Sequence, residues 1–411
     1  MRRLSVSLLV TTLFAGTAHA DFTIPGFELV HTSPAETSLT NPDLREPVAV
    51  WSELFDSAKK EIVIAQFYAV SKPGTAFEKV LASLTAAGQR GVKIRFLLDQ
   101  KGVGLSEAAT IARIKAIPNL DLRLIDFNKI TGNGIVHAKY LAVDGEVAYI
   151  GSQNFDWRSF EHIHETGLRI TEPAMVSQVQ AIFEQDWQAQ ALTSQGSRAT
   201  VLNSKVVPAN YAQNAFLLAS PNAYNPAGVG DSETGLPALL AEAKSEVRIQ
   251  LLDYAPLSYG PNRTRPYYAV IDNAVRAAAQ RGVKIKLMVS AWNTEAPAIA
   301  YLKSLALVPN VEIRIVTIPT ASTGFIPFAR VIHSKTMSID GKLAWVGTSN
   351  WAGGYFDLSR NLEVVLRNDA MAQRIAALHE QTWSSAYAQP IDINRQYPKP
   401  AKAAPQGKES W

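Results

Sequence analysis

The chain is predicted to be an α/β protein of two tandem α/β/α sandwich domains related by a pseudo-twofold axis. Three observations predict this. Short β-branched runs alternate with amphipathic helical runs, the pattern of a layered fold with a mainly parallel sheet. The whole order of runs is then traversed a second time. Finally, "IVHAKYLAVDGEVAYIGSQN" at 135–154 returns as "VIHSKTMSIDGKLAWVGTSN" at 331–350, an offset of 196 residues.

The first twenty residues stand apart from that pattern. Arg2 and Arg3 precede an apolar run from Leu4 to Phe14, then "GTAHA" ending at Ala20. A basic start, a short hydrophobic stretch and a small-x-small site describe a signal peptide. A membrane anchor would need a longer apolar run. Residues 1–20 are therefore expected to be removed near Ala20, and the mature protein to be exported, periplasmic or secreted.

Each half opens with a β-branched strand, "EIVIAQFY" and later "EVRIQLLDY". Amphipathic helices follow, "AFEKVLASLTAAGQ" and "YYAVIDNAVRAAAQ". Then come buried strands after Arg-Gly, "VKIRFLLD" and "VKIKLMVS". Another helix leads to "LDLRLIDF" or "VEIRIVTI", then to the repeated phrase and a closing helix containing "FEQDW" or "HEQTW". A repeat near 190 residues is domain-sized, so the chain is read as a duplication. The halves are 21–205 and 206–393, joined in a Pro/Asn/Gly-rich stretch. Residues 394–411, "NRQYPKPAKAAPQGKESW", read as a disordered, slightly basic tail.

Composition narrows the chemistry. The 411 residues, 47% hydrophobic and 18% charged, suffice for two cores. There is no cysteine, which excludes thiolate nucleophiles and cysteine–metal sites. The formal charge of +4 falls to +2 once Arg2 and Arg3 leave, so phosphate recognition has to be local.

Within the repeated phrase, residues i and i+2 of a strand share a face, so His137 projects with Lys139 and His333 with Lys335. "VDGE" and "IDGK" then give a two-residue hairpin turn. The returning strand ends in "SQN" or "TSN", which brings Ser152 and Asn154, or Thr348 and Asn350, toward the same patch. A lone histidine on such a strand is ordinarily a packed core residue. Two copies of the same pair, each with a trailing hydroxyl and amide, point instead to one shared site. Facing halves bring two imidazoles and two ammonium groups around one cleft, a set suited to a phosphodiester. Lysines, hydroxyls and amides neutralise the phosphoryl oxygens, one imidazole attacks and the other moves protons. Two lysines disfavour a bound cation, so neither metal nor cofactor is expected.

Each imidazole needs an acceptor. Glu165 in "HETGLRI" and Glu363 in "NLEVVLR" are carboxylates in apolar strands, eleven residues after Asn154 and thirteen after Asn350. They are expected to orient the histidines. Asp144 and Asp340 sit at the hairpin turns, where aspartate is favoured for backbone bonding alone. "HIHE" gives His162 and His164 a metal-like spacing, with a loop-and-rim placement the better reading. His31 and His379 read as structural or surface residues. Tyr68, Tyr254 and Trp292, at strand C-terminal ends, are candidates to line the cleft.

The pattern His-x-Lys-x4-Asp followed by Gly-(Ser/Thr)-x-Asn, present twice, resembles the phospholipase D superfamily. "GSQNFDWRSF", "IPFARVIHSKTM" and "GTSNWAGGYF" are similar to phrases of its animal lysosomal 5′ exonucleases and poxvirus relatives. The chain lacks their anchor and cysteines and looks like an exported bacterial member. The resemblance implies two phospholipase D-type domains and metal-independent hydrolysis through a phosphohistidine, usually with His137 as nucleophile and His333 as acid; nothing in the sequence breaks the symmetry, and the inverted roles stay open for the exonuclease branch. It also counts Asp144 and Asp340 with the catalytic set. The implied partner is a phosphodiester substrate, single-stranded nucleic acid or a phospholipid. No obligate protein partner is implied, since one chain carries both halves of the site. A phosphatidyltransferase acting on lipid headgroups and a non-catalytic envelope or binding protein are the alternatives.

Overall fold

The computed structural model describes residues 21–197, 210–259 and 264–402. The expected signal peptide and the junction at 205/206 lie outside the described residues.

Glu61–Gln66 (EIVIAQ) forms the middle of the first sheet, with five of its six residues buried. Such a strand is covered on both faces, so it reads as a continuous apolar run. Lys93–Asp99 and Leu120–Ile125 extend the sheet in parallel on one side. On the other side Tyr140–Val143, Val147–Gly151, Glu165–Ile170 and Phe27–Thr32 pair antiparallel in that order. The second sheet repeats the plan around Glu246–Leu251, with Lys284–Ser290 and Val311–Val316 parallel to it. Thr336–Ile339, Leu343–Gly347, Asn361–Arg367 and Ala215–Ser220 follow antiparallel. The sheets are thus mixed, where a mainly parallel arrangement was expected. The cause is the motif turn: Asp144 and Gly145 have φ of 55° and 71°, Asp340 and Gly341 of 54° and 63°. Two consecutive positive φ values make the tight hairpin turn that reverses the chain in place.

Helices cover both faces of each sheet. In the first half Pro47–Ser57 and Phe77–Gln89 pack outside through Trp51, Phe55, Leu81 and Leu84. The closing helices Pro173–Ser194 and Asp369–Trp383 lie inside. Their Val176, Val179, Ile182 and Ile375 share one apolar core with Leu168 and Ile150 of one sheet and Val346 and Leu362 of the other. Burying that common face fuses the halves into one body.

The backbones also meet directly. His137 and Ala138 donate their N–H groups to the Arg360 carbonyl at 3.0 and 2.9 Å, and His333 and Ser334 donate to the His164 carbonyl at 2.8 and 3.0 Å. The two crossings are equivalent, yet their side chains differ. Arg360 is fully buried and pairs with Asp186 at 2.9 Å while donating to the Tyr224 and Ser220 carbonyls. His164 bonds Ser334 Oγ at 2.9 Å and packs 4.5 Å from the His31 ring.

The tail departs from expectation up to Lys402. Thr294 Oγ1 donates to the Pro398 carbonyl, the Phe328 N–H to the Lys402 carbonyl, and the Lys402 ammonium lies 3.0 Å from Glu295. Pro398 and Pro400 restrict the unfolded chain, so ordering this segment costs less entropy than its composition suggested. Residues 403–411 lie outside the described residues.

Candidate active site

Both histidine–lysine pairs enter strands at the interface between the sheets. His333 Nδ1 lies 2.8 Å from Glu165 Oε2, a carboxylate of the first half. His137 Nδ1 lies 3.0 Å from Asn361 Oδ1, an amide of the second half. Asn361 is itself oriented, since its Nδ2 donates to the Tyr355 carbonyl and its Oδ1 also accepts from Thr348 Oγ1. Both histidines therefore carry their proton on Nδ1 and leave Nε2 free toward the cleft.

Glu165 thus orients a histidine, but that of the opposite half. Glu363 does not: it is fully buried and accepts from the Ser232 and Ser349 hydroxyls. In the strand pairing Gly347 faces Glu363 just as Gly151 faces Gly167, so the counterpart of Glu165 is Asn361. The signal was present: the 196-residue offset carries 165 to 361.

Lys139 and Lys335 are buried, each ammonium donating to the carbonyl of its own histidine. Ser152 and Thr348, expected to bind phosphate, are otherwise engaged. The Ser152 hydroxyl bonds the Thr166 backbone, and Thr348 bonds Asn361 and the Leu362 N–H. They brace the histidines' partners. Asn154 and Asn350 are buried, and the Oδ1 of each lacks a hydrogen-bond donor.

The motif aspartates are structural. Asp144 accepts from the N–H groups of Lys59, Lys60 and Glu61, and Asp340 from those of Lys244, Ser245 and Glu246. They tie the hairpin turns to the start of each central strand and bond no histidine. The catalytic role that the resemblance assigned them is therefore corrected to a scaffold role. Tyr68 and Tyr254 also leave the cleft set, their hydroxyls bonding Asp156 at 2.8 Å and Asp272 at 2.5 Å. Trp292 packs near Phe328 on the wall of a separate cavity of about 410 Å³. His164 lies in the interior crossing and not at a rim, whereas His162 is half-buried beside Trp157. His31 and His379 are buried, His379 stacked on Trp383. Among the described residues no group of three or more His, Asp or Glu is placed to hold a metal ion.

Charge in the cleft follows from burial. Burial pushes the His333 pKa down to about 4, opposed by Glu165 and reinforced by Lys335. His137 is held well below the usual imidazole range by burial and by both lysines. Burial lowers Lys335 to about 7, with Glu165 and Asp253 resisting. Glu165 is buried too, yet the His333 contact and Lys335 hold its carboxyl below the ordinary value. Burial and Lys335 hold the Lys139 ammonium well below its ordinary range as well, so the cleft sets two imidazoles, one backed by a carboxylate, beside two lysines whose charged forms gain from an anion.

The family model described as "Cardiolipin synthase, PLD-like domain" matches residues 52–187 and again 236–383, one match per half. The chain belongs to the phospholipase D superfamily. Phospholipase D Z of Dictyostelium discoideum is 31% identical, over 83% of this chain and 85% of that protein. The 5′-3′ exonuclease PLD4 of Mus musculus is 28% identical, over 86% of this chain and 76% of its own length. In structure, the phosphatidylserine synthase of Haemophilus influenzae superposes with a TM-score of 0.60 at 11% identity, covering 84% of this chain and 85% of that one, which shows the shared fold. This phospholipase D-type protein is a phosphodiesterase of that superfamily, phospholipase- or nuclease-like.

Sequence reasoning missed several residues of its phospholipase D-type cleft. Phe67 and Tyr355 flank His137, with ring centroids 5.7 and 4.7 Å away. Asp253, the counterpart of Tyr68, acts electrostatically on Lys335, Tyr259 and Tyr355. The register makes Tyr254 the counterpart of Ala69 and not of Tyr68: Tyr254 pairs with Trp351 as Ala69 pairs with Phe155. Asp186 against Thr382 in the echoed "FEQDW" and "HEQTW" was the visible trace of the Arg360 ion pair.

Proposed function

We propose that this protein hydrolyses phosphodiesters without a metal through a covalent phosphohistidine on His333, taking single-stranded nucleic acid from its 5′ end. The carrying observation is the unequal pairing of the histidines, His333 with the Glu165 carboxylate and His137 with the Asn361 amide. When His333 Nε2 attacks phosphorus, its ring becomes cationic, and the buried carboxylate at Nδ1 favours that cation. The leaving alcohol needs a proton from an acid that releases it readily. A neutral amide partner suits His137 to that role, because it does not hold the imidazolium back. Of the two assignments left open by the resemblance, this is the inverted one.

In the first step the Nε2–P bond forms, the P–O bond to the leaving group breaks, and His137 protonates the departing oxygen. In the second, His137 takes a proton from water, whose oxygen attacks phosphorus as the N–P bond breaks. Lys139, Lys335 and the amides of Asn154 and Asn350 neutralise the phosphoryl oxygens in both steps. The bound phosphodiester's own charge offsets the lysines and lets His137 carry its proton.

Relatives named 5′-3′ exonuclease cover most of the chain, which favours nucleic acid; the relative named phospholipase D Z keeps a lipid headgroup as second reading. The deciding experiment offers the purified protein 5′-hydroxyl single-stranded oligonucleotides and phosphatidylcholine vesicles in parallel, with and without EDTA. Mononucleotide release unaffected by EDTA is expected. Choline release alone would replace the nucleic-acid reading, and loss of activity with EDTA would refute the metal-free one. We propose further that the protein acts outside the cytosol, with a mature chain beginning at Asp21, which the mass of the exported protein checks.

A further inference from the structure

On the His137 side of the cleft, ring contacts lead from the catalytic imidazole out to solvent. Tyr355 meets His137 edge-on at 4.7 Å, Tyr259 meets Tyr355 at 6.3 Å, and the Arg265 guanidinium lies 4.3 Å over the Tyr259 ring. Exposure rises along the series, from 5% for His137 to 41% for Tyr259, with Arg265 exposed. Among the described residues no such series leads from His333, whose Nδ1 neighbour is Glu165.

The outer pair is held in place. Asn133 of the first half donates its side-chain N–H to the Tyr259 carbonyl at 3.2 Å, and Arg265 Nε donates to the Ser258 carbonyl at 3.0 Å. A Cβ at Gly354 would stand 2.1 Å from Tyr259 Cδ2, so the ring rests against a backbone that only glycine leaves open. "WAGGYF" is thus shaped to receive this tyrosine. One side of the ring lies on Gly354, and the exposed Arg265 guanidinium is centred over the ring. The Lys101 ammonium, 3.4 Å from Asn133 Oδ1, adds a second cation to this rim.

We propose that Arg265 layered on Tyr259 is a stacking platform for the nucleobase of the nucleotide flanking the scissile phosphodiester. The proposal rests on the nucleic-acid reading above and goes beyond it by naming where the base sits. Every base has a π-face, and both aromatic rings and guanidinium planes accept one, so the platform confers affinity without selecting sequence. Tyr355 links the platform to His137, which sets it on the leaving-group side of the reacting phosphate.

The test uses the full-length exported protein, a 5′-hydroxyl oligonucleotide, and the same oligonucleotide with an abasic second residue, the one whose O5′ departs with the proton from His137. Tyr259→Ala is expected to raise KM for the normal oligonucleotide roughly tenfold, the loss of one base stack, with kcat nearly unchanged. On the abasic substrate wild type and variant should share the same raised KM, because removing the base and removing the platform delete one interaction. Arg265→Lys keeps the charge but not the plane and should behave like Arg265→Ala. Full recovery with Arg265→Lys would reduce the site to phosphate attraction and overturn the stacking proposal. So would an equal effect of Tyr259→Ala on both substrates, which marks a structural role. Failure of the wild type to cleave any oligonucleotide removes the nucleic-acid reading itself, and this proposal with it, before any variant is made.

Discussion

Glu165 and Asn361 occupy equivalent positions 196 residues apart, and each hydrogen-bonds the histidine of the other half. The site therefore exists only when both sheets are folded together. The exchange of a carboxylate for an amide breaks the symmetry that duplication would otherwise leave.

Glu165→Gln removes the charge that favours a cationic His333 ring while keeping a hydrogen-bonding side chain. The turnover number is expected to fall about 10²-fold or more. The histidines separate by leaving group. With bis(p-nitrophenyl) phosphate, whose leaving phenolate needs little protonation, His137→Ala should retain a burst of p-nitrophenolate and His333→Ala none. The opposite pattern would restore His137 as the nucleophile.

In the free enzyme's kcat/KM His333 should set the acid limb, and Lys335 together with loss of the His137 proton the alkaline one. His333 must be neutral to attack, so the rate falls as pH drops through its pKa of about 4. Lys335 must be charged to hold phosphate, so the rate falls as pH rises through about 7. Lys335→Arg stays charged and should move the alkaline limb upward. An unmoved limb would assign it to another group.

Arg360 and Asp186 form an ion pair with no exposure to solvent to speak of. Removing one partner leaves a buried charge uncompensated. Arg360→Met or Asp186→Leu alone should lower the unfolding free energy by about 3–5 kcal/mol, and the double substitution should recover much of it. The exposed pair Arg113–Glu78 offers the contrast, with an expected effect of about 0–1 kcal/mol. Equal effects in urea titrations would show that burial does not matter here.

Glu363 gives stability its own pH dependence. Burial raises its pKa to about 7 against the Ser232 and Ser349 hydrogen bonds. A folded pKa above the unfolded value means the native state holds the extra proton. The contribution is fully present below the ordinary carboxyl pKa and is lost as pH rises through about 7. The loss amounts to about 3 kcal/mol. Glu363→Gln should flatten the fall in Tm between pH 5 and pH 8, and an unchanged slope would locate the titrating group elsewhere.

Much of the fold was legible because its determinants are local. The alternation of "EIVIAQ" and "VKIRFLLD" with helical runs marks strands and helices through short-range periodicity. The Asp-Gly turns, with positive φ at both residues, announce the motif hairpins. The antiparallel strands Phe27–Thr32 and Ala215–Ser220 were not foreseen, because a strand buried on both faces lacks the alternation that signals orientation. Asn154 and Asn350 are buried, each with an Oδ1 that has no donor. Ser152 and Thr348 leave the expected phosphate set, because the closing strand of each sheet captures their hydroxyls.

The sequence by itself determined the duplication and the two His-x-Lys pairs, since period-two geometry and a two-residue turn act within a few residues. Only the tertiary structure decided who holds each imidazole, that Glu363 bonds Ser232 and Ser349 and not a histidine, and that Tyr355 packs on His137 with Tyr259 beyond it. Those contacts run between halves, or between a loop and a distant strand. Their geometry is set by how two sheets pack over a common core, a long-range packing solution that no local pattern along the chain encodes.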